Sequence, residues 1–494
     1  MIAEVAALID GHRTVLDIIQ ALDKRVSSEE VFHTFYLLSD WGRIVAGDMA
    51  PRSVVKWRRP ETAASFKALF KACGSSLRSL VSISPDDDFP LHCYAAFAKQ
   101  SGHGTGESES GSYATGLAKP GRITLGSGFT REEGMLAALG ERAETVALSW
   151  SGGITISRST VKEAGKRGLH PDQLQLVSDR QYRMRPYWRR RYGERHRIPI
   201  AVENTTPLDW VSASVYPDGT SCLVPAGYCF LDYPHDHDYL VADSNGCAAA
   251  QTRMEAMVSG FLELVERDAV AIWWYNRIRR PAIDPAAFNS PELNDCTRWM
   301  DQTHRRFYIL DLTHDYGIPV VAAISVNNED TDMAMGFGAD IDCLAAVKSA
   351  VCEMMQVYSL KKVMERQIRS GGINSLDRSA RVFISWANSE IHTHMRPHGI
   401  IRSLKAPGPA AGSMTPDAAW QFCIALCREK NQRLFVLDLT PPTADIPVVR
   451  VIAPGMRHFR PRFSPGRLYQ VPVTMGWRMA PLNERDLTRI PVPI

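Results

Sequence analysis

Apolar positions along the chain follow two rhythms. Spacings of three and four run through 130–148, 252–275, 344–366 and 416–430 and predict helices, while short β-branched and aromatic runs at 307–312, 320–326 and 434–439 predict strands. Strand runs set between long helical stretches predict an α/β (α+β) body of mixed β-sheets packed with helices. Ahead of that body, 1–50 reads as short helices, a turn and a strand. Ser27 with Glu30 forms a capping box before Val31, Phe32, Phe35, Tyr36 and Leu37; Gly42 ends that helix, and 43–46 is strand-like. This is the outline of a winged-helix fragment, whose common use is DNA binding. The helix that would read DNA, 29–40, is acidic and carries no Lys or Arg, so a peptide-docking or structural role is expected instead. Residues 51–65, with Pro51, Arg58, Arg59 and Pro60, are expected to link this fragment to a main body at 66–494, and the Gly- and Ser-rich stretch 99–112 is expected to be a mobile surface loop.

Composition adds exclusions. A net charge of +3 with 22% charged residues gives no global field for nucleic acid or a membrane surface, and neither is expected as a partner. Even the apolar stretch 258–275 is interrupted by Glu263, Glu266, Arg267 and Asp268, which argues against a membrane span. Residues 1–11 carry Glu4 and Asp10 without a basic start and apolar run, so a cytoplasmic protein is expected. The ten cysteines are scattered with no CxxC pair, as reduced thiols would be; Cys423 and Cys427, four apart, are expected to be buried rather than zinc ligands.

Three of the expected helices carry a pair of acidic or amide residues three apart: Glu141 with Glu144, Glu263 with Glu266, and Glu353 with Gln356. That spacing puts both heads on one face. Such pairs are ordinary on wet helices, but these lie among Val258, Phe261, Leu262, Leu264, Val265, Trp273 and Trp274, between Met135–Leu139 and Val146–Leu148, and beside Val351, Met354 and Met355. Buried carboxylates need partners, and carboxylates converging from three helices repel unless cations lie between them. Hard Mg²⁺ prefers oxygen ligands, and Mg²⁺ with a polyphosphate would relieve the repulsion. The chain has no GxxxxGK[ST] loop and no GxGxxG after a strand, so a nucleotide site must be of another kind. Ser244 and Asn245, with Gly246, Cys247 and Ala248, precede the second helix and offer a hydroxyl, an amide and a helix start suited to an anion.

Asp243-Ser244-Asn245-Gly246-Cys247-Ala248-Ala249, then Glu263-Leu264-Val265-Glu266-Arg267-Asp268-Ala269, then Trp273-Trp274-Tyr275-Asn276-Arg277 resembles the YcaO superfamily. Ala138-Leu139-Gly140-Glu141-Arg142-Ala143-Glu144, Gly336-Phe337-Gly338-Ala339, His458-Phe459, Arg462 through Tyr469 and Pro491-Val492-Pro493 extend the likeness over about 66–494, and it most resembles the maturases of thiazole/oxazole-modified peptides. The resemblance implies an ATP-dependent cyclodehydratase in which Glu141, Glu144, Asn245, Glu263, Glu266, Arg267, Glu353 and Gln356 hold Mg²⁺ and the triphosphate, the five glutamates serving the metal. It implies attack of a Cys, Ser or Thr side chain on the preceding amide carbonyl, phosphorylation of the resulting oxyanion, and loss of phosphate to leave an azoline, with Arg267 offsetting the charge. Pro491, Pro493 and the terminal carboxylate of Ile494 are the implied residues that order the site. The implied partners are a precursor peptide, a leader-binding or E1-like protein and an FMN-dependent dehydrogenase, with room for a homodimer. Segment 1–50 resembles the tail of a leader-binding module. Where the family commonly has Gly-Lys-Gly this chain reads Gly126-Ser127-Gly128; Thr145 and Ser349 stand where the family has Arg. Each change removes a cation that could face phosphate, and neighbouring Arg142 and Lys348 point elsewhere on their helices. Thioamide or amidine formation on the same amide, and a non-catalytic peptide-docking scaffold, are the rival readings.

Two further clusters stand apart. Nine arginines and histidines in 180–197 are interleaved with Tyr182, Tyr187, Trp188 and Tyr192, a pattern compatible with nucleic acid, with a basic loop over an acidic precursor peptide, or with a solvated face. His235 with His237, and His392 with His394 and His398, lie in turns where a transition metal is conceivable but not expected.

Overall fold

The computed structural model describes residues 2–22, 26, 31, 34–35, 38, 44–46, 55–57, 60–98, 123–376, 378–389, 391–401 and 414–493. The expected loop at 99–112, most of 29–40, part of the linker and Ile494 lie outside them. Among the described residues the strands form four sheets. The smallest pairs β1 (Ile44–Ala46) with β2 (Val55–Trp57). A three-stranded antiparallel sheet contains β3 (Leu77–Ser82), β4 (His92–Ala98) and β5 (Ile123–Gly128). Ile2, Val5, Ile9, Ile18 and Leu22 of the N-terminal helices share one apolar cluster with α1 (Pro60–Cys73) and with α2 (Arg131–Leu148), which lies against that sheet.

The six-stranded sheet runs β6 (Ser157–Thr160), β7 (Pro207–Tyr216), β15 (Leu434–Asp438), β16 (Val448–Ile452) and β9 (Cys247–Ala249), with β8 (Ser221–Pro225) also on β7. The five-stranded sheet runs β13 (Ala334–Ala339), β12 (Val320–Asn327), β11 (Arg305–Asp311), β10 (Ala282–Ile283) and β14 (Ile400–Ile401), antiparallel except for the last pair. Side chains alternate across a strand. In β12, Val320, Ala322, Ile324 and Val326 join the cluster around α4 (Arg253–Asn276), whereas Val321 and Ala323 join the one around α6 (Cys343–Gly371). Both faces of this sheet are therefore covered, which is why β12 reads as an unbroken apolar run. Strand β16 divides the same way: Val449 and Val451 pack toward α4, Val448 and Ile452 toward the core of the six-stranded sheet.

Helix α4 thus lies between two sheets. Its apolar residues surround it on all sides, the signature of a buried helix. Thr252 and Glu255 cap its start reciprocally, and Arg277 in a left-handed conformation ends it. The elements match the expected ones within a few residues, except that the helix expected at 344–366 continues to Gly371. The basic segment 180–197, expected as a loop or wet face, is helical: α3 (Arg185–Tyr192) buries Trp188 against Phe463, their ring centres 5.8 Å apart. No helix among the described residues is long and apolar enough to cross a membrane.

Helix α6 can lie close on β13 because Gly336 has no side chain: a Cβ there would stand 2.1 Å from the Met354 amide nitrogen and 2.6 Å from the Ala350 carbonyl oxygen. Gly336→Ala is expected to destabilise the fold by about 1–3 kcal/mol through overpacking. Gly140→Ala, inside α2 with nothing within 4 Å of the new methyl, is expected to add roughly 0.5–1 kcal/mol by restricting the unfolded chain. Urea unfolding midpoints that move in the same direction for both would contradict this account.

Candidate active site

Helices α2, α4 and α6 bring Glu141 and Glu144, Glu263 and Glu266, and Glu353 to one cleft where the sheets meet. A backbone amide from a neighbouring segment fixes one carboxylate of each helix. Glu144 Oε1 accepts from the Ala249 amide of β9 at 2.8 Å, Glu263 Oε2 from the Gly246 amide at 3.0 Å, and Glu353 Oε2 from the Phe337 amide of β13. Arg267 Nη2 donates to Glu263 Oε1 at 2.8 Å and Nη1 donates to Glu266. The guanidinium lies flat over Phe459, 4.2 Å from the ring centre, and Phe459 in turn rests on Phe337. Glu141 remains open to solvent although protein surrounds it, as expected of a group at the mouth of a cleft.

The electrostatics follow from this crowding. Burial and the carboxylates Glu263 and Glu353, opposed by Arg267, push Glu141 up to about 7. Burial, with Glu353 and Glu263 and against Arg267, pushes Glu266 up to about 8. Glu144 is driven well above the carboxylate range by burial and Glu141, and Glu263 and Glu353 are raised chiefly by burial. Burial alone would lower Arg267, but Glu266, Glu263, Glu353 and Glu141 together raise it. Glu141, Glu263, Glu266 and Glu353 share this guanidinium, while Glu144 crowds Glu141 and Glu263, and their oxygen donors suit a hard divalent cation. Among the described residues no three Asp, Glu, His or Cys side chains are grouped so as to hold a metal ion, and Arg267 pairs with two of the acids.

The stretch 244–248 precedes the helix, as expected, but leads into it through β9: it is a turn into that strand, and the helix begins at the Thr252 cap. Ser244 is exposed; the Asn245 amide donates to Asp243 Oδ1 at 3.1 Å, and Gly246, at φ 76°, points its amide at Glu263. Gln356 is half-buried on α6, three residues beyond Glu353. The three positions where the sequence lacks a cation hold none. Ser127 Oγ donates to the Cys352 carbonyl at 2.9 Å, Thr145 Oγ1 donates to the Glu141 carbonyl at 2.9 Å, and Ser349 is exposed. Arg142 is buried beside Ser76, and Lys348 pairs with Glu292 of α5 (Pro291–Gln302) at 2.9 Å. His394 is packed against Trp273 and Trp274, each ring centre 5.1 Å away, so aromatic packing explains that histidine.

Several contributors went unrecognised as such in the sequence. Phe459 and Tyr275 lie inside quoted motifs, yet only the fold shows Tyr275 donating from its hydroxyl to the Phe459 carbonyl while its own carbonyl accepts from the Thr488 amide at 3.0 Å. With Trp274 Nε1 donating to the Ile490 carbonyl at 2.8 Å, this ties the tail holding Pro491 and Pro493 to α4 and, through Phe459, to Arg267. On the far side of α4, Asp268 is fully buried; Arg467 of α9 (Arg467–Thr474) donates to it at 2.6 Å and the Arg457 amide at 2.7 Å. No local spacing announces that set.

Residues 125–457 match the family described as YcaO cyclodehydratase, ATP- and Mg²⁺-binding. A heterocyclase solved in complex with substrate and cofactor is 30% identical, with a TM-score of 0.74 over 85% of this chain and 55% of that one. The heterocyclase TruD is 30% identical, with a TM-score of 0.61 over 72% of this chain and 50% of its own. YcaO from Methanopyrus kandleri, bound with AMPPCP and Mg²⁺, is 20% identical with a TM-score of 0.51 over 80% of this chain and 90% of its own, and shares the fold. The chain spans about half the length of the two heterocyclase chains.

Because Glu141 and Glu266 stand above the ordinary 4.5, the folded protein keeps protons that the unfolded chain releases. Their contribution to stability is full below 4.5 and is lost as pH rises through about 7 and about 8. His394 and His458 act oppositely: burial first, then neighbouring positive groups, lowers both from 6.5 to about 3, so their contribution is lost only below 6.5. In EDTA, the thermal midpoint is therefore expected to fall between about pH 7 and about pH 8.5, and Glu266→Gln to flatten the fall. A midpoint constant over that window would contradict the electrostatics of the cleft.

Proposed function

Since the chain belongs to the YcaO family, whose members bind ATP and Mg²⁺, we propose that it activates peptide backbone amides with ATP and cyclodehydrates Cys, Ser or Thr of a ribosomal precursor peptide to thiazoline or oxazoline. The observation carrying this reading is the crowd of carboxylates that three helices bring together, four of them acting on Arg267 and the fifth, Glu144, set against Glu141 and Glu263. In the 30%-identical heterocyclase, substrate and cofactor are bound together, and the reading extends that to this chain.

Glu141, Glu144, Glu263, Glu266 and Glu353 would hold Mg²⁺, and Ser244, Asn245, Arg267 and Gln356 would face the triphosphate. When bound, Mg-ATP supplies the phosphoryl group that turns an amide oxygen into a leaving group. The chain's own part is positioning and charge. Arg267, held flat on Phe459 and bridged to two carboxylates, offers its donors to the oxygen on which negative charge develops. The backbone amides on Glu144, Glu263 and Glu353 leave those carboxylates little freedom, so the metal site loses little entropy on forming. Pro491 and Pro493, anchored through Tyr275, and the carboxylate of Ile494 would order the cleft. The peptide would arrive with a separate leader-binding, E1-like protein, with segment 1–50 contributing to docking and 66–494 to chemistry, in the cytoplasm. An FMN-dependent dehydrogenase would follow where azolines are oxidised.

The neutral residues at Ser127, Thr145 and Ser349 favour a second reading, a peptide-docking scaffold that does not turn over ATP. Mg-ATP separates the two: at a hundredfold excess over its dissociation constant a bound nucleotide stabilises by about 2.7 kcal/mol, and a scaffold without a nucleotide site gains nothing. For the catalytic reading, purified protein with Mg-ATP, its cognate precursor and its partner is expected to release phosphate and remove one water per ring from the peptide. Glu266→Ala is expected to lower that rate by about a hundredfold or more. Unchanged peptide mass in the wild-type reaction would sink the proposal.

A further inference from the structure

On the surface between α3 and α7 (Arg378–Ala387) lies an open groove of about 670 Å³, within the range of sites that take a short peptide. Arg191, Arg381, Val382, Trp386, His392 and Ile490 line it, with two serines and no Asp or Glu. Val382 is 64% and Ile490 39% exposed, two large apolar side chains left in water at one place. Arg185, Arg189 and Arg190 continue the positive charge along α3. Arg189 is taken by Glu194, but among the described residues no carboxylate pairs with Arg191 or Arg381, whose one hydrogen-bond partner is Asn374 at 3.2 Å. An indole, aliphatic side chains and unmatched arginines are the composition of an interface centre.

The groove also has a direction. Its Ile490 wall is the tail that Trp274 and Tyr275 anchor, and Trp274 lies eight residues along α4 from Glu266, roughly 12 Å of helix axis. About four extended residues span that length. We propose that this groove docks an acidic, apolar-punctuated extended segment of the peptide substrate, at least four residues from the residue being modified. The inference rests on the peptide-modifying reading above and names the chemistry of the substrate's remote contact: carboxylates on Arg191 and Arg381, an apolar side chain against Val382, Trp386 and Ile490.

The test uses the full chain and a short fluorescein-labelled peptide alternating glutamate with leucine and phenylalanine, followed by anisotropy, with glutamine and lysine counterparts. The acidic probe is expected to bind, its affinity falling as salt rises, and the glutamine probe to bind far more weakly. Reversing both charges, Arg191→Glu with Arg381→Glu, is expected to weaken the acidic probe by about tenfold, and to improve the lysine probe. Val382→Glu, also on the surface, is expected to weaken the acidic probe without touching either arginine. Equal binding of the acidic probe to wild type and the double reversal would overturn the proposal, as would a single-stranded oligonucleotide that binds these arginines more tightly than the probe. Mg-ATP stabilisation, measured on the same proteins, is expected to be unchanged by the groove variants. Its absence from the wild type as well would remove the catalytic reading while leaving the groove result standing.

Discussion

Two unit charges a few ångströms apart interact by about 4 kcal/mol at an effective dielectric near 20. Glu141, Glu263, Glu266 and Glu353 crowd Arg267, and Glu144 crowds Glu141 and Glu263, so the five cannot all remain ionised unaided. The cleft therefore has two ways to lower its energy. It can keep protons, as the raised carboxylates indicate, or it can accept a divalent cation. A fold that maintains such a cluster across three helices carries a standing affinity for positive charge, and the chemistry proposed for it uses that affinity.

The scaffold makes the crowding tolerable by fixing the acids from outside their own helices. The amides of Ala249, Gly246 and Phe337 each hold a glutamate from a different helix, and all three belong to strands or a strand-entering turn. Gly246 is needed for this: with a side chain, its Cβ would come 2.1 Å from the Val451 carbonyl oxygen of β16. Behind the cleft, Asp268 anchors the opposite face of α4. It is fully buried, yet Arg467 and His314 outweigh its burial and keep it ionised, well below the carboxylate range. Removing a partner from a buried charge costs more than the pair contributes, so the Asp268 set locks the rotation of α4 that aims Glu263, Glu266 and Arg267 forward.

Much of this was legible in the chain because it is periodic. The helices bearing the acidic pairs, the strands of β11, β12 and β15, and the improbability of wetting Glu263 and Glu266 all follow from spacing and apolar company. The directions of Arg142 and Lys348 follow from helix geometry, since one position rotates a side chain by a quarter turn or so. What was not legible depends on pairings distant in sequence. Tyr275 meets Phe459 184 positions away, and Arg467 meets Asp268 199 positions away. The strand β9 between the 244–248 turn and the helix was not legible, because small polar residues suit both a cap and a tight approach to a strand, and only the close passage of Val451 decides between them. In the basic 180–197 segment Arg183, Arg189, Arg190 and Arg191 are exposed, as on a solvated face, but a loop was the wrong alternative: the segment is largely helical, and its Trp188 contact with Phe463 lies far off in sequence.

The charge balance also bears on how this site would receive a nucleotide. With Ser127, Thr145 and Ser349 neutral, Arg142 turned to Ser76 and Lys348 to Glu292, Arg267 is the cation that the carboxylates share. A bare triphosphate entering such a cleft meets net repulsion, and Arg267 can serve it only by loosening its hold on Glu263 and Glu266. A divalent cation changes both terms at once. Held by the glutamates, it would offset the acids that Arg267 now pairs with, and the guanidinium would be free to serve the phosphate oxygens. On the proposed reading, with neutral side chains at these three positions, nucleotide recognition would lean on metal rather than on fixed cations, and the two binding events would be linked.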